Sequence, residues 1–309
     1  MKQIQPLLTI FAVLFLNLST TAQESEPALI AVTYEFTHVN DTNHRENPIR
    51  EDMVLCLGQN SSKYTNHINE DRQRKVYKTI KSMPPVPPPI PTDGSVKVRM
   101  GRPIAVVFGR GYTQETLFQH PKENKLNKIA VLGTVIYLIE SPLPRINWKM
   151  DKETRNIGGY TCQKAVGNYG GRTYTAWFTT ELPFRNGPWK LSGLPGLILE
   201  ASDTSNEVSF RFKEISKDTV DRMTGTTDER LVKVSDKTYE RACEAWLNDP
   251  QGIVLSQRPA DTPELSSVPL GYVDSTGKLN MGEKAKELLE KYKKETVAAT
   301  NNPLELSKK

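Results

Sequence analysis

The side chains with which this sequence could bind a metal or move a proton are few in kind: four histidines, three cysteines and 36 carboxylates. His38 and His44 flank "VNDTN" (39–43), and adding Asp41 gives a loose three-ligand set. Neither His-x-His nor His-Glu-x-x-His occurs, so a polar strand end with a loop is the plainer reading. Cys56, Cys162 and Cys243 are odd in number and lack a Cys-x-x-Cys spacing; they form no disulfide framework, and their three pairings cannot be ranked by spacing. A pair of acids for glycoside hydrolysis is defined by separation in space, and no pair stands out along the chain. Ser192 follows Leu191 and precedes Gly193, so no Gly-x-Ser-x-Gly elbow exists, and no phosphate-cradling Gly-x-x-x-x-Gly-Lys-Ser/Thr is present. No catalytic residue, metal ligand or cofactor is therefore expected from motifs.

The most distinctive stretch is "GPWKLSGLPGLILEASD", residues 187–203. Pro195 and Gly196 fall at the centre of a turn from Leu194 to Leu197, where proline presets φ and glycine accepts the left-handed conformation of a type II turn. A strand over 197–201 follows. The stretch reads first as a structural corner. The competing reading is a loop that contacts a ligand or partner through Trp189, Gly193, Leu194, Pro195, Gly196, Leu197 and Ile198.

The elements that must hold these residues are mostly strands. Alternating runs rich in β-branched and aromatic residues start at Leu29, Asp52, Val96, Lys128 and Glu207. Between Ile157 and Thr180, two alternating segments flank "GNYGG" (167–171), a hairpin signal. On its second strand Tyr174, Ala176 and Phe178 share one face, and Thr175, Trp177 and Thr179 the other. Both faces carry an aromatic ring, so either both are covered or one awaits a ligand. "PPVPPPIP" (84–91) predicts a polyproline II spacer of roughly 25 Å at about 3.1 Å per residue. Helical periodicity appears only late, from an N-cap at Ser235 through Tyr239, Ala242, Cys243, Trp246 and Leu247, and again through Ala285, Leu288, Leu289 and Tyr292.

Lys2, the apolar run Leu7–Leu18 and the small residues ending at Ala22 predict a secretory signal peptide over 1–22. No cysteine stands near the cleavage point, and no later stretch is long and apolar enough to span a membrane, so an exported protein, periplasmic or associated with the outer membrane and not a lipoprotein, is expected. Between Arg72 and Arg110, nine Lys or Arg meet one acid, Asp93, within a chain of net charge +5. Arg72, Arg74, Lys75 and Lys78 are the candidates for facing an anion. Their single interleaved tyrosine is too little for nucleic-acid binding.

"NIGGYTCQKA" (156–165), "GRTYTAWFTTELP" (171–183) and "GLPGLI" (193–198) together resemble the GLPGLI family of exported envelope proteins of Gram-negative bacteria, over about 146–215. The resemblance implies export and a mainly β fold. It fits a curved antiparallel sheet, a meander or half-barrel; the two late amphipathic helices, read from their periodicity and lying beyond the resemblance, are expected to pack on it. No activity or catalytic residue comes with it. The domain plan is then signal peptide 1–22, β domain 23–217 with the proline-rich loop 84–91, and helical extension 218–309.

Three functions compete. The preferred one is a noncatalytic envelope protein that binds a partner through Tyr160, Cys162, Trp177 and the Trp189 loop; it requires an exposed apolar patch near Trp189 and Leu194. The second is a periplasmic carrier of an amphiphile or lipid, which requires a deep concave apolar pocket. The third is a hydrolase, which requires acids or histidine converging in one cleft.

Overall fold

The computed structural model describes residues 25–82, 113, 115–132, 135–225, 231–248, 271–273, 279–281 and 301–306. The signal segment, the proline tract, the run from Val96 and the stripe from Ala285 to Tyr292 lie outside the described residues.

The chain is mainly β. Twelve strands form one large, curved, open sheet: β1 (Ile30–His38), β2 (Ile49–Leu57), β3 (Ser62–Asn66), β4 (Thr116–His120), β5 (Lys125–Leu132), β6 (Val135–Pro142), β7 (Lys149–Ile157), β8 (Tyr160–Tyr169), β9 (Arg172–Thr179), β10 (Leu197–Asp203), β11 (Val208–Ser216) and β12 (Val232–Ser235). Their order is β12-β6-β5-β4-β3-β2-β1-β11-β10-β9-β8-β7, and every neighbouring pair is antiparallel except β12 with β6. Two helices accompany them, α1 (His67–Ser82) and α2 (Asp236–Asn248), and a separate ribbon joins β13 (Gly271–Val273) to β14 (Leu279–Met281). Among the described residues, no helix is long and apolar enough to cross a membrane.

The hairpin closes as its glycines predict: Gly170 (φ +58°) and Gly171 (φ +80°) supply a two-residue turn between β8 and β9. The single run read from Lys128 is instead two strands, β5 and β6, paired from Lys125–Pro142 to Leu132–Val135. Helix also forms early, against the expectation that it appears only late: the basic stretch at 72–78 is part of α1, which starts where Asn66 Oδ1 accepts the amide of Ile68 at 2.8 Å. Its apolar footing is small: Ala31, Val54 and Cys56 lie buried on that side of the sheet with Ala28. Polar groups complete it: the buried Glu70 pairs with Lys63 at 2.7 Å and with Arg222 at 3.6 Å. Ser235 caps α2, its Oγ accepting the amide of Thr238 at 3.3 Å, and Tyr239 meets the Tyr137 ring edge-on at 5.5 Å.

The main core lies on the other face of the sheet. Tyr34, Met53, Leu55, Leu57, Tyr174, Phe178 and Phe210 fill it, and the loop from 180 to 196 folds over them with Trp189, Leu191 and Leu194 inward.

Candidate functional site

The "GLPGLI" stretch is buried structure. Leu194, Leu197 and Ile198 are all but inaccessible. Gly196 does not adopt the expected left-handed conformation. It is there because a side chain would not fit, since a Cβ would stand 2.0 Å from the Thr179 carbonyl oxygen. The left-handed residues are Gly193 (φ +97°) and, against its bulk, Trp189 (φ +56°). The loop is pinned from several strands. Gln119 donates to the Trp189 carbonyl at 2.9 Å, Trp148 Nε1 to that of Ser192 at 2.9 Å, and Asn186 to Ser62 Oγ at 3.0 Å. With Trp189 and Leu194 covered, the apolar patch required of a partner-binding loop is not formed. The apolar cavity beside Trp189 measures about 20 Å³, far short of an acyl-chain pocket.

The remaining sequence candidates are not gathered together. Tyr160 is half-buried at the start of β8 and Cys162 is buried two residues on. Cys56, Cys162 and Cys243 are all free. Burial pushes the Cys162 thiol up to about 11 and the Cys56 thiol up to about 12, so both stay protonated and inert at neutral pH. Arg72, Arg74, Lys75 and Lys78 sit on α1, with Arg74 directed at Asp218 across 3.5 Å. His44 Nδ1 meets Asp41 Oδ2 at 2.7 Å, while His38 turns inward, and no group of three His, Cys, Asp or Glu is placed to hold a metal ion among the described residues.

Trp177 does mark a site, on the face away from the main core. An open cleft of about 430 Å³ is lined by Glu35 and Thr37 from β1, Arg50 from β2, Arg155 from β7, Trp177 from β9, Glu200 and Ser202 from β10, and Ser209 and Arg211 from β11. Register builds it. Glu35 stands opposite Arg211, Thr37 opposite Arg50 and Ser209, and Ser202 opposite Ser209. Strict alternation from the core residue Ile198 would put Glu200 in the core as well. An irregularity between Ile198 and Glu200 shifts the register by one, so that Glu200 faces outward opposite Trp177. The Arg155 guanidinium lies 4.1 Å from the Trp177 ring centroid and pairs with Glu200, and Lys164 stands 6.0 Å from the same ring. Trp177 itself is only 8% exposed and its ring is covered by Arg155, so what the cleft offers is two acids, three guanidinium groups and a row of hydroxyls around that ring, the complement of a polyhydroxylated ligand. Glu35, Arg155, Glu200 and Arg211 were not singled out in the sequence. The only signal for them was the ring at Trp177 on the face opposite the core residues.

Similarity to a known family covers the β7, β9, β10 and β11 side of this cleft but not Glu35, Thr37 or Arg50. A family model described as the N-terminal domain of N-glycanase peptide matches residues 111–240. Two solved structures of PNGF-II, in space groups P21 and C2, resemble the chain at 15% and 16% identity with TM-scores of 0.44 and 0.43. They cover 70% and 69% of this chain but 33% and 32% of their own, so the chain spans about a third of their length. No curated protein matches. The family match overturns two expectations. The blocks at 156–198 that resemble the GLPGLI family lie within the N-glycanase match, and nothing found supports GLPGLI membership. The noncatalytic envelope module gives way for the same reason, and the hydrolase alternative fits the match better.

Proposed function

We propose that this protein is a hydrolase-associated domain acting in the removal of N-linked glycans, and that the Trp177 cleft is where it meets the sugar. The observation that carries this reading is coincidence: Arg155, Trp177, Glu200, Ser202, Ser209 and Arg211 all fall inside residues 111–240, the stretch similar to an N-glycanase domain. The chemistry of the cleft agrees. Hydroxyl-rich sugars are recognised by planar hydrogen-bonding side chains such as the carboxylates and guanidinium groups of this cleft, and a volume of about 430 Å³ is within the usual range for small-ligand sites. Hydrolysis requires a group to protonate the leaving atom and one to activate water, and Glu35 and Glu200 are the acids the cleft offers for moving a proton. Export to the periplasm or outer membrane, where glycoproteins from outside would be met, belongs to the same proposal, as does a division between a β domain ending near 217 and a helical extension.

The test is incubation of the purified full chain with an N-glycopeptide, reading peptide and glycan masses together with Trp177 fluorescence, assigned with Trp177→Phe. Cleavage is expected, falling at least about 100-fold in Glu200→Gln or Glu35→Gln. An intact glycopeptide with unchanged Trp177 emission would overturn the reading.

A further inference from the structure

Residues 301–306, Asn-Asn-Pro-Leu-Glu-Leu, lie against the core side of the sheet without joining its ladders. Their backbone amides touch the body at two places, Asn302 to the Asn40 carbonyl at 3.2 Å and Leu306 to that of Gly170 at 2.7 Å. Side chains hold the rest. The Asn302 carboxamide is read at both ends: its oxygen accepts from Arg172 Nη2, and its nitrogen donates to the Val39 carbonyl at 2.6 Å and Glu207 Oε2 at 2.9 Å. His38 Nε2 donates to the Asn302 carbonyl at 2.8 Å. Arg172 also gives Nη2 to the Pro303 carbonyl at 2.9 Å and Nε to that of Leu304 at 3.2 Å. Leu304 enters an apolar recess between Phe36, Tyr64, Trp189 and Phe210. Glu305 pairs with Lys190 and accepts from the Tyr169 hydroxyl at 3.3 Å.

A chain end that merely filled the core would present apolar side chains. This one presents four different chemistries in succession, and the side chains of Asn302, Leu304 and Glu305 are each met by a complement. Aspartate at 302 would lack the amide donor and would set a charge beside Glu207, leaving the Val39 carbonyl buried and unpaired. Proline at 303 carries no amide hydrogen, and the contact recorded at this position is to its carbonyl, from Arg172 Nη2. The two neighbouring loop residues, Trp189 and Lys190, take Leu304 and Glu305, and Trp189 is held in a left-handed conformation costly for a bulky side chain, the kind of stored strain that gathers at binding sites.

We infer that this groove is a peptide-recognition site for a bent segment presenting asparagine, proline, a leucine-sized apolar side chain and an acid in that order, filled here in cis by residues 301–306. The inference does not rest on the glycan reading. Because the tethered segment competes at an effective concentration of order mM, a free peptide enters only when the tether is weakened.

The experiment uses the full chain, wild type and Leu304→Asp, with a fluorescent hexapeptide of the 301–306 sequence read by anisotropy. Leu304→Asp is expected to bind at least about tenfold more tightly than wild type, and a peptide with aspartate in place of the residue equivalent to Asn302 to bind at least about tenfold more weakly. A folded Leu304→Asp variant that binds neither peptide, or both equally, would overturn the inference. Should that variant fail to fold, hydrogen exchange on the wild type decides. The Asn302 and Leu306 amides are expected to exchange by local opening at least about tenfold faster than those of β1 and β11, and exchange of all of them only on global unfolding would defeat the proposal.

Discussion

The same strands carry both candidate sites, on alternate residues. Glu35, Glu200 and Arg211 face the open cleft with the buried ring of Trp177, while Phe36 and Ala176, with Ala201 and Phe210 whose edges also line the cleft, belong to the core that lies under the peptide groove. Each site is organised by an arginine, and the two arginines differ in what they leave for solvent. The Arg172 side chain is 2% exposed, between Asp203 at 2.6 Å and Glu207 at 3.2 Å, with three groups of the 301–306 segment on its remaining donors. The Arg155 side chain is 43% exposed and shares itself between Glu200 and a ring. One site is satisfied from within the chain. The other has polar groups with their hydrogen-bonding capacity turned to water, which is the condition for exchanging water for a ligand.

The largest effect that would separate them comes from the two arginines. Arg172→Met leaves the Asp203 carboxylate, whose side chain is 3% exposed, without its partner, and is expected to cost about 3–5 kcal/mol in chemical denaturation. Arg155→Met breaks a solvent-screened pair and is expected to cost less than about 1 kcal/mol. Equal costs would mean that the contrast in exposure has no energetic content.

Next in size is a pair of glycines in the loop that joins the two faces. Gly196→Ala drives a Cβ into the Thr179 backbone, at the point where β10 begins and just before the shift that turns Glu200 outward. About 3 kcal/mol is expected, together with loss of glycan response at Trp177. Gly193→Ala meets open space and suffers only its φ of +97°, at about 1 kcal/mol, with the cleft intact. Thermal unfolding with the fluorescence readout checks both.

What the sequence shows of this arrangement follows from how far each element obeys a period. β1, β9 and β11 alternate over much of their length and β2 ends in a short apolar run buried on both faces, and all four are legible. β7 is not, because it is an edge strand exposed along eight of its nine residues and so carries no apolar alternation. α1 escapes because its buried side is met largely by Lys63, Glu70 and Arg222 and needs no long apolar stripe. The cleft escapes at one residue: counting by twos from Ile198 puts Glu200 in the core, and only the register shift puts it beside Trp177. The peptide groove has no local signal at all, since Arg172 and Asn302 are 130 residues apart and the segment has neither period.

The smallest effect tests whether the groove is sealed, and two histidines at its rim give opposite signs. His38 faces Asn302, Arg172 on β9, Asp203 at the end of β10, and Glu207. Burial, which the Asn302 carbonyl and the two acids oppose and Arg172 reinforces, holds it below its ordinary value of 6.5. Below pH 6.5 the unfolded chain therefore takes up the proton first, so stability is constant above that pH and falls as pH drops toward the folded value. Exposed His44 is raised above 6.5 by its hydrogen bond to Asp41, which also holds Asn301; its contribution is fully present below 6.5 and is lost as pH rises through the folded value. The Glu207 carboxyl enters only lower. Burial would raise it, but hydrogen bonds from Arg45, Arg172 and Asn302 outweigh that and hold it below 4.5. Between pH 4.5 and 6.5, then, the urea midpoint of the wild type is expected to fall on acidification, and His38→Gln, which keeps a donor for the Asn302 carbonyl, is expected to reduce that fall to the part due to His120, which burial also holds below 6.5. His44→Gln should leave it unchanged and remove only a shallow decline above 6.5. A midpoint that rises as pH falls below 6.5 would mean that His38 is protonated in the fold, and that the groove around Asn302 is open to water.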